Sequence, residues 1–187
     1  MKIGIDISQL AYPQTGVANY LKKLVENLLK IDRENEYVFF GSSLRRKDAL
    51  VNIAKYFDYS NLPAGKAGNR SKLKIFPFPP TFLDLLWNRL HIIPVEWFIG
   101  DVDVFISSDW TQPPTKKAKS ITVLYDLLVY KYPQEMHPKI VATQKRRLKW
   151  VKKECDQIIC ISESAKKDAM EVLDIDEKRL KVVYPGR

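Results

Sequence analysis

Short apolar runs separated by helical patterns recur almost from one end of this chain to the other, and that alternation narrows the fold more than any other feature. The runs are Lys2–Ile7, Tyr37–Gly41, Leu73–Phe76, Asp103–Ser107, Ile121–Tyr125, Gln157–Ile161 and Leu180–Tyr184. Several are continuous β-branched or aromatic stretches, the pattern of strands covered on both faces. Between the first two, Val17, Leu21, Leu24, Leu28 and Ile31 recur at spacings of three and four, with Lys22, Lys23, Glu26 and Lys30 on other faces, which predicts an amphipathic helix. A second helix is expected over Lys139–Glu154. A third begins after Ser162, a good N-cap residue, and ends near Leu173. Pro77–Pro80 ends a strand and launches a segment that sets Leu83, Leu86, Trp87 and Leu90 on one helical face. Asn61–Asn69, with Pro63, Gly65 and Gly68, reads as a loop. Strand–helix–strand repeated in this way implies right-handed crossovers. The expected fold is a three-layer α/β domain whose mainly parallel sheet of about seven strands carries helices on both faces. The first strand is expected inside the sheet rather than at its edge.

With 187 residues, 45% of them hydrophobic, the chain can bury one substantial core, which excludes a disordered tail. The net charge of +9 would attract nucleic acid, anionic lipid and phosphorylated small molecules alike. No interleaving of basic and aromatic residues and no helix-turn-helix signal supports the first, so no nucleic-acid partner is expected. The basic run Lys139, Lys145, Arg146, Arg147, Lys149, Lys152 and Lys153 covers more than one helical face and is expected to lack nearby acids. Its default reading is a solvated face; the alternative is peripheral contact with anionic lipid or a phosphorylated acceptor. Cys155 and Cys160 match no zinc spacing, and His91 and His137 stand alone, so no metal site is expected. Both cysteines read as reduced core residues flanking a helix-to-strand turn, which fits a reducing cytosol. Ile92–Ile99 is too short to span a bilayer and contains Glu96. Met1 and Lys2 lead straight into a strand, with no secretory signal. A cytoplasmic protein, at most peripheral to the inner membrane face, is expected.

In an open parallel sheet, ligands bind beyond the carboxyl ends of the strands. Four such ends carry suggestive residues. In Pro13–Tyr20, Gly16 lets the backbone approach a ligand, and the helix start directs free N–H groups toward it. Thr15, Gly16 and Val17 are therefore candidate phosphate-binding residues, against the plainer reading of a tight turn. In Ser107–Pro114, Asp109 and Trp110 could hold a polyhydroxylated ligand or simply shape a rigid polar turn. Tyr125 and Asp126 stand at the tip of an apolar strand. Asp126 there could bind a hydroxyl or accept a proton, or could cap the segment that follows. Ser162 and Glu163 could contact a ligand, although capping and favourable interaction with the helix dipole explain them as well.

Taken in order, these segments resemble the N-terminal domain of family 4 (group 1) glycosyltransferases of the GT-B type. The resemblance is carried by the opening Met1–Asp6 strand, the Thr15–Tyr20 loop, Leu86–Leu90, Asp103–Phe105 and the Pro113–Pro114 turn. It continues through Thr122–Leu127 followed by Tyr132–Pro133, then Ile159–Asp168, and ends with Lys181–Gly186. It implies a single Rossmann-like domain over residues 1–187, the acceptor side of a two-domain enzyme. The cleft between domains would transfer a hexosyl group from a nucleotide sugar, with retention of configuration and no bound metal or other cofactor, to a sugar or lipid-linked acceptor. Thr15, Gly16 and Val17 would approach the donor diphosphate; Asp126 and Tyr125 would be catalytic; and Asp109, Trp110, Ser162 and Glu163 would bind the acceptor. Many members have His where Tyr125 stands, so no histidine role carries over. The donor-binding half would lie beyond Arg187, in a C-terminal domain or a second chain, and this chain alone is expected to be inactive. The alternative is a non-catalytic Rossmann-like module that binds a phosphorylated ligand or an anionic membrane surface.

Overall fold

The computed structural model describes residues 1–55, 57 and 71–185. The loop expected over Asn61–Asn69, and Gly186 of the final motif, lie outside the described residues. The strands are β1 (Lys2–Asp6), β2 (Glu36–Ser42), β3 (Ser71–Phe76), β4 (Val104–Ser107), β5 (Lys119–Leu124), β6 (Gln157–Cys160) and β7 (Leu180–Val182). The helices are α1 (Gly16–Ile31), α2 (Lys47–Lys55), α3 (Pro80–Leu83), α4 (Glu96–Ile99), α5 (Leu128–Lys131), α6 (Pro138–Glu154) and α7 (Glu163–Leu173). A π-helical stretch, Asp84–Arg89, continues α3.

All strands join one sheet in the order β3-β2-β1-β4-β5-β6-β7, and every pairing is parallel. The reason is legible in β2, where Tyr37, Val38, Phe39 and Phe40 are all buried. Successive side chains of a strand point to opposite faces, so a continuous apolar run demands cover on both. Tyr37 and Phe39 pack with Ile5, Ile7, Leu21 and Val25 under α1 and α2. Val38 and Phe40 pack on the other face with Phe105, Leu86 and Trp87. Farther along that second face, α6 and α7 cover Leu124, Ile158, Cys160 and Leu180.

The seven strand assignments and the three long helices stand, with strand ends that shift by one to two residues. The helix α2 had no counterpart among the expectations. Leu90 departs from its expected place: Leu83, Leu86 and Trp87 are buried, but Leu90 is 56% exposed. The cause is the wider π-helical winding, in which the Leu90 amide donates to Leu85 O at 3.0 Å, five residues back. A spacing read at 3.6 residues per turn then points the side chain away from the core. The basic helix does find acids: the tertiary fold brings Asp84 to Arg146 at 2.8 Å and Asp174 to Lys152 at 3.3 Å, and Glu154, next in sequence, lies 3.7 Å from Lys153. Nor is it a uniformly solvated surface, because Arg147 is buried.

His91 is not isolated either. Its ring stacks on Trp150 at 3.6 Å, and its Nδ1 and Nε2 meet Trp87 O and Glu154 Oε2, each at 2.7 Å. His137 caps α6, accepting from the Lys139 amide. Cys155 and Cys160 are free and buried, and burial pushes both thiols up to about 11. Among the described residues no helix is long and apolar enough to cross a membrane, and no His, Cys, Asp and Glu cluster could hold a metal ion.

Gly4 is closely packed on the second face. A Cβ there would meet Phe105 Cδ2 at 2.7 Å and Ile99 Cδ1 at 2.9 Å. Phe105 is a fully buried ring with no room to swing. Gly4→Ala is expected to cost about 1–3 kcal/mol by overpacking, read as a lower midpoint in urea unfolding. An unchanged midpoint would show that this layer yields.

Candidate active site at the carboxyl edge of the sheet

Because every strand runs the same way, all their carboxyl ends share one edge. The chain leaves β1 toward β2 and β3, then returns on the other side of β1 as β4. The β1/β4 boundary is therefore the point where the strand order reverses, and a crevice opens there. It holds a cavity of about 450 Å³ lined by Asp6, Ser8, Gln9, Tyr12, Thr15, Ser42, Pro80, Leu83, Ser108, Trp110 and Thr111.

The floor is Asp6, 1% exposed. Its Oδ1 accepts from the Ser8 amide at 2.9 Å and the Ser8 hydroxyl at 2.5 Å. The Ser8 hydroxyl in turn accepts from the Ser42 amide at 2.9 Å, which ties the ends of β1 and β2. Burial raises the Asp6 pKa, opposed by its bonds to Ser8 and Ser108. Hydroxyls around a carboxylate, with the indole of Trp110 at the rim, suit a polyhydroxylated ligand.

Thr15 borders this cavity and caps α1. Its side chain accepts from the Ala18 amide at 3.2 Å, while its own amide donates to Tyr12 O at 3.2 Å. Among the described residues no hydrogen bond is made by the N–H groups of Gly16 and Val17, at the positive end of this 16-residue helix. A Cβ at Gly16 would meet nothing within 4 Å, so the domain's own packing does not demand a glycine there.

On the β4 and β5 side, Asp109 and Tyr125 gather around a buried guanidinium. Arg147, 1% exposed, donates to Thr122 Oγ1 at 2.6 Å and Val123 O at 3.2 Å, and sits 3.7 Å from Asp109 Oδ1. Gln144 donates to Asp109 O at 2.8 Å. Burial raises the Asp109 pKa, with Asp126 adding to the rise and Arg147 opposing it. Burial first and Asp109 second raise the Tyr125 pKa well above the usual phenol range, which keeps its hydroxyl a donor. The Tyr125 ring meets Tyr20 of α1 edge to face at 5.5 Å.

The structure thus brings Asp109, Tyr125 and Asp126 within electrostatic reach of one another, with Thr15 and Trp110 on the neighbouring cavity wall. Asp126 is exposed, and its Oδ1 accepts from the Leu128 amide at 3.1 Å, so its capping role is real. Ser162 caps α7, accepting from the Ala165 amide at 3.1 Å. Glu163 is exposed in the first turn of that helix. These two stand at the β6 end, apart from the cavity.

Sequence reasoning missed Asp6 and the buried polar residues Asn88, Gln112, Thr122, Gln144 and Arg147. A carboxylate closing the first apolar strand was the available signal for Asp6. The spacing of Gln144 and Arg147 on one helical face was the signal for that pair. Asn88 offered none.

A family model for glycosyltransferase family 4 matches residues 14–187. The chain belongs to glycosyltransferase family 4. Its fold is similar to that of HepE from Anabaena, solved with UDP and glucose, at 10% identity and a TM-score of 0.51. A second HepE structure, solved with UDP, aligns at 10% identity and a TM-score of 0.49. These alignments cover 100% of this chain and 45% and 44% of the HepE chains, so this family 4 chain spans less than half the length of that protein. No curated protein sequence matches it.

Asp6 is accessible to a pH test. A carboxyl with a raised native pKa contributes stability that is fully present below the unfolded value, 3.8, and lost as pH rises through the native value. Asp6→Asn removes that loss while keeping an oxygen to accept from Ser8. The variant is expected to be more stable than the parent at pH 7, with a gap that narrows as pH falls toward 3.8 in urea unfolding. A gap that widens on acidification would show that the carboxylate form is the stabilising one.

Proposed function

We propose that this chain is the acceptor-side half of a retaining glycosyltransferase that moves a hexosyl group from a nucleoside-diphosphate sugar to a hydroxylated acceptor. The observation that carries the reading is the cavity at the β1/β4 reversal, bordered by Ser8, Tyr12, Thr15, Ser42, Ser108 and Thr111 and floored by Asp6, beside the N-terminal N–H groups of α1. Membership of a glycosyltransferase family supports the reaction class. The likeness to HepE, whose structure holds UDP and glucose, supports a nucleotide sugar as donor at the level of fold.

In this reading Thr15, Gly16 and Val17 receive the donor diphosphate. The departing diphosphate gathers negative charge in the transition state, and preorganised N–H groups stabilise that charge without reorganisation. The empty space at Gly16 is where the phosphates approach the backbone. Trp110 and the cavity hydroxyls hold the acceptor sugar. Asp126 keeps its Oδ2 for an acceptor hydroxyl, and Tyr125, held protonated, donates a neighbouring hydrogen bond. Asp109 completes this wall, and Ser162 and Glu163, two strands farther along the same edge, extend the acceptor path. A second domain, in the same or another chain, grips the nucleotide. The reaction takes place in the cytoplasm, with the outward lysines of α6 available to an anionic inner membrane face.

The test is donor hydrolysis and transfer by the chain with and without a donor-binding domain supplied in trans. Only the combination is expected to turn over, with retained anomeric configuration in the product. Gly16→Val should leave the fold intact and mainly weaken donor use. Asp126→Ala should mainly lower transfer to acceptor. Rapid transfer by the chain alone would overturn the placing of the donor grip elsewhere, and full activity in both variants would overturn the shared cleft.

A further inference from the structure

Next to the sheet-edge cavity, and sharing Pro80 and Trp110 with it, lies a second cavity of about 350 Å³ between α3, its π-helical continuation and the first turns of α6. Its polar walls are Thr81, Asp84, Arg89, Lys139, Thr143 and Arg146. Asp84 organises the cations. Its Oδ2 accepts from Arg146 Nη2 at 2.8 Å and Arg89 Nε at 3.2 Å, and its Oδ1 accepts from Asn88 at 3.0 Å. Arg146 Nη2 also reaches Thr143 Oγ1 at 3.1 Å. One carboxylate thus fixes two guanidiniums side by side.

The charges do not balance. Arg89, Lys139 and Arg146 face the single acid Asp84, which leaves two positive charges in excess. Lys139 is exposed, and among the described residues its ammonium has no acid partner. Arg146 Nε is buried and has no hydrogen-bond partner among the described residues. A buried donor left open is costly unless something else accepts from it.

We propose that this groove binds a phosphate group carried by the acceptor, so that the acceptor is a phosphorylated or diphosphate-linked saccharide. The assignment of that phosphate to an acceptor rests on the functional reading above; the phosphate site itself does not. Guanidinium forks match oxyanion geometry, and a phosphate dianion balances an excess of two charges where a carboxylate would balance one. The shared Trp110 sets the anion at one end of a ligand whose sugar occupies the cavity over Asp6.

The experiment titrates the full 187-residue chain with inorganic pyrophosphate, glucose 1-phosphate, glucuronate and glucose, followed by amide shifts in nitrogen-labelled protein. Pyrophosphate and glucose 1-phosphate are expected to bind saturably, with shifts confined to residues 81–89, 110 and 139–146. Lys139→Ala, an exposed change that breaks no ion pair among the described residues, should weaken binding about tenfold, and adding Arg89→Gln should abolish it. Lys149→Ala and Lys153→Ala, whose ammoniums lie over Trp150, should bind as the parent does. Phosphatidylcholine vesicles with and without phosphatidic acid identify the source. Pelleting that needs both phosphatidic acid and Lys139 assigns a lipid phosphate, whereas glucose 1-phosphate binding without pelleting assigns a soluble one. Glucuronate binding as tightly as pyrophosphate, a double variant that binds like the parent, or equal losses in the Lys149 and Lys153 variants would overturn the site. Phosphate binding with no transfer by the completed enzyme would leave the site standing and sink the functional reading.

Discussion

A guanidinium held almost wholly out of water organises the side of the molecule on which the candidate site is built. Arg147 cannot shed its charge, so its burial is tolerable only if oxygen atoms surround it. Thr122 and Val123 of β5 and Gln144 one turn back on α6 supply them for its two Nη atoms, with Asp109 as counter-charge; its Nε is buried with no partner among the described residues. The network runs on from Thr122. Ser107 has one proton, which Gln112 Oε1, an acceptor only, takes at 2.7 Å; the Thr122 hydroxyl, 2.8 Å away, then donates to Ser107. Gln112 Nε2 passes the chain to Ser120 at 2.9 Å. From the other side Asn88 accepts from the Gln112 amide at 3.0 Å and donates to Trp110 O at 2.9 Å. The loop after β4 is gripped from beneath at several points, and Asp109 and Trp110 are what it presents above. Networks of this kind fix a loop because each member left unpaired would carry its own desolvation cost.

The other half of the site depends on where β1 lies. A strand in mid-sheet, with the chain departing on one side and returning on the other, leaves a gap that no crossover fills. Asp6 sits at the bottom of that gap, and apolar packing alone would have placed a valine or isoleucine there. A fully buried carboxyl whose protonated form the site favours is costly to keep, and such groups are concentrated where a fold binds or transforms something. The hydroxyl of Ser8, bonded both to Asp6 and to the backbone of β2, makes the carboxyl part of the frame as well as part of the floor.

How far the sequence discloses this differs by the kind of interaction. Continuous apolar strands and the stripe of α1 follow from periodicity, because burial acts on many residues at once and leaves a repeated mark. Caps are legible for the same local reason: Thr15 and Ser162 bond amides three residues on, within the span a reader can see. Asp126 shows the limit, since a capping bond to Leu128 and a free second oxygen coexist and no local pattern separates the two roles. The Arg147 network is invisible in one dimension. Gln144 and Arg147 share a helical face, yet nothing in their spacing says that Thr122, Ser107 and Gln112 will meet them. The π-helical turn hides in the same way. Trp87 is buried and donates to Ile93 O at 3.0 Å, and that anchoring of the wider winding is a tertiary event that turns Leu90 outward.

The basic excess of the chain makes sense once α6 is read by faces rather than by composition. Gln144, Arg147, Leu148 and Val151 form its buried side, where a cation serves as a hydrogen-bond hub. Lys139, Thr143 and Arg146, spaced at four and three, form a second side that walls the groove beside Trp110. Lys145, Lys149, Lys152 and Lys153 are exposed on the remainder, two of them lying over the Trp150 ring. A helix that supplies core, groove and surface at once must carry cations on every side, and a run of lysine and arginine is then no sign of a single uniform patch. What distinguishes the groove side is its partner. Asp84 holds two guanidiniums side by side, whereas the outward lysines make single exposed contacts, with Asp174, Glu154 or the rings of Tyr130 and Trp150, where salt screens them and each pair contributes little. Fixed cations beside a cavity select a ligand by shape as well as by charge; mobile ones only draw anions to the surface.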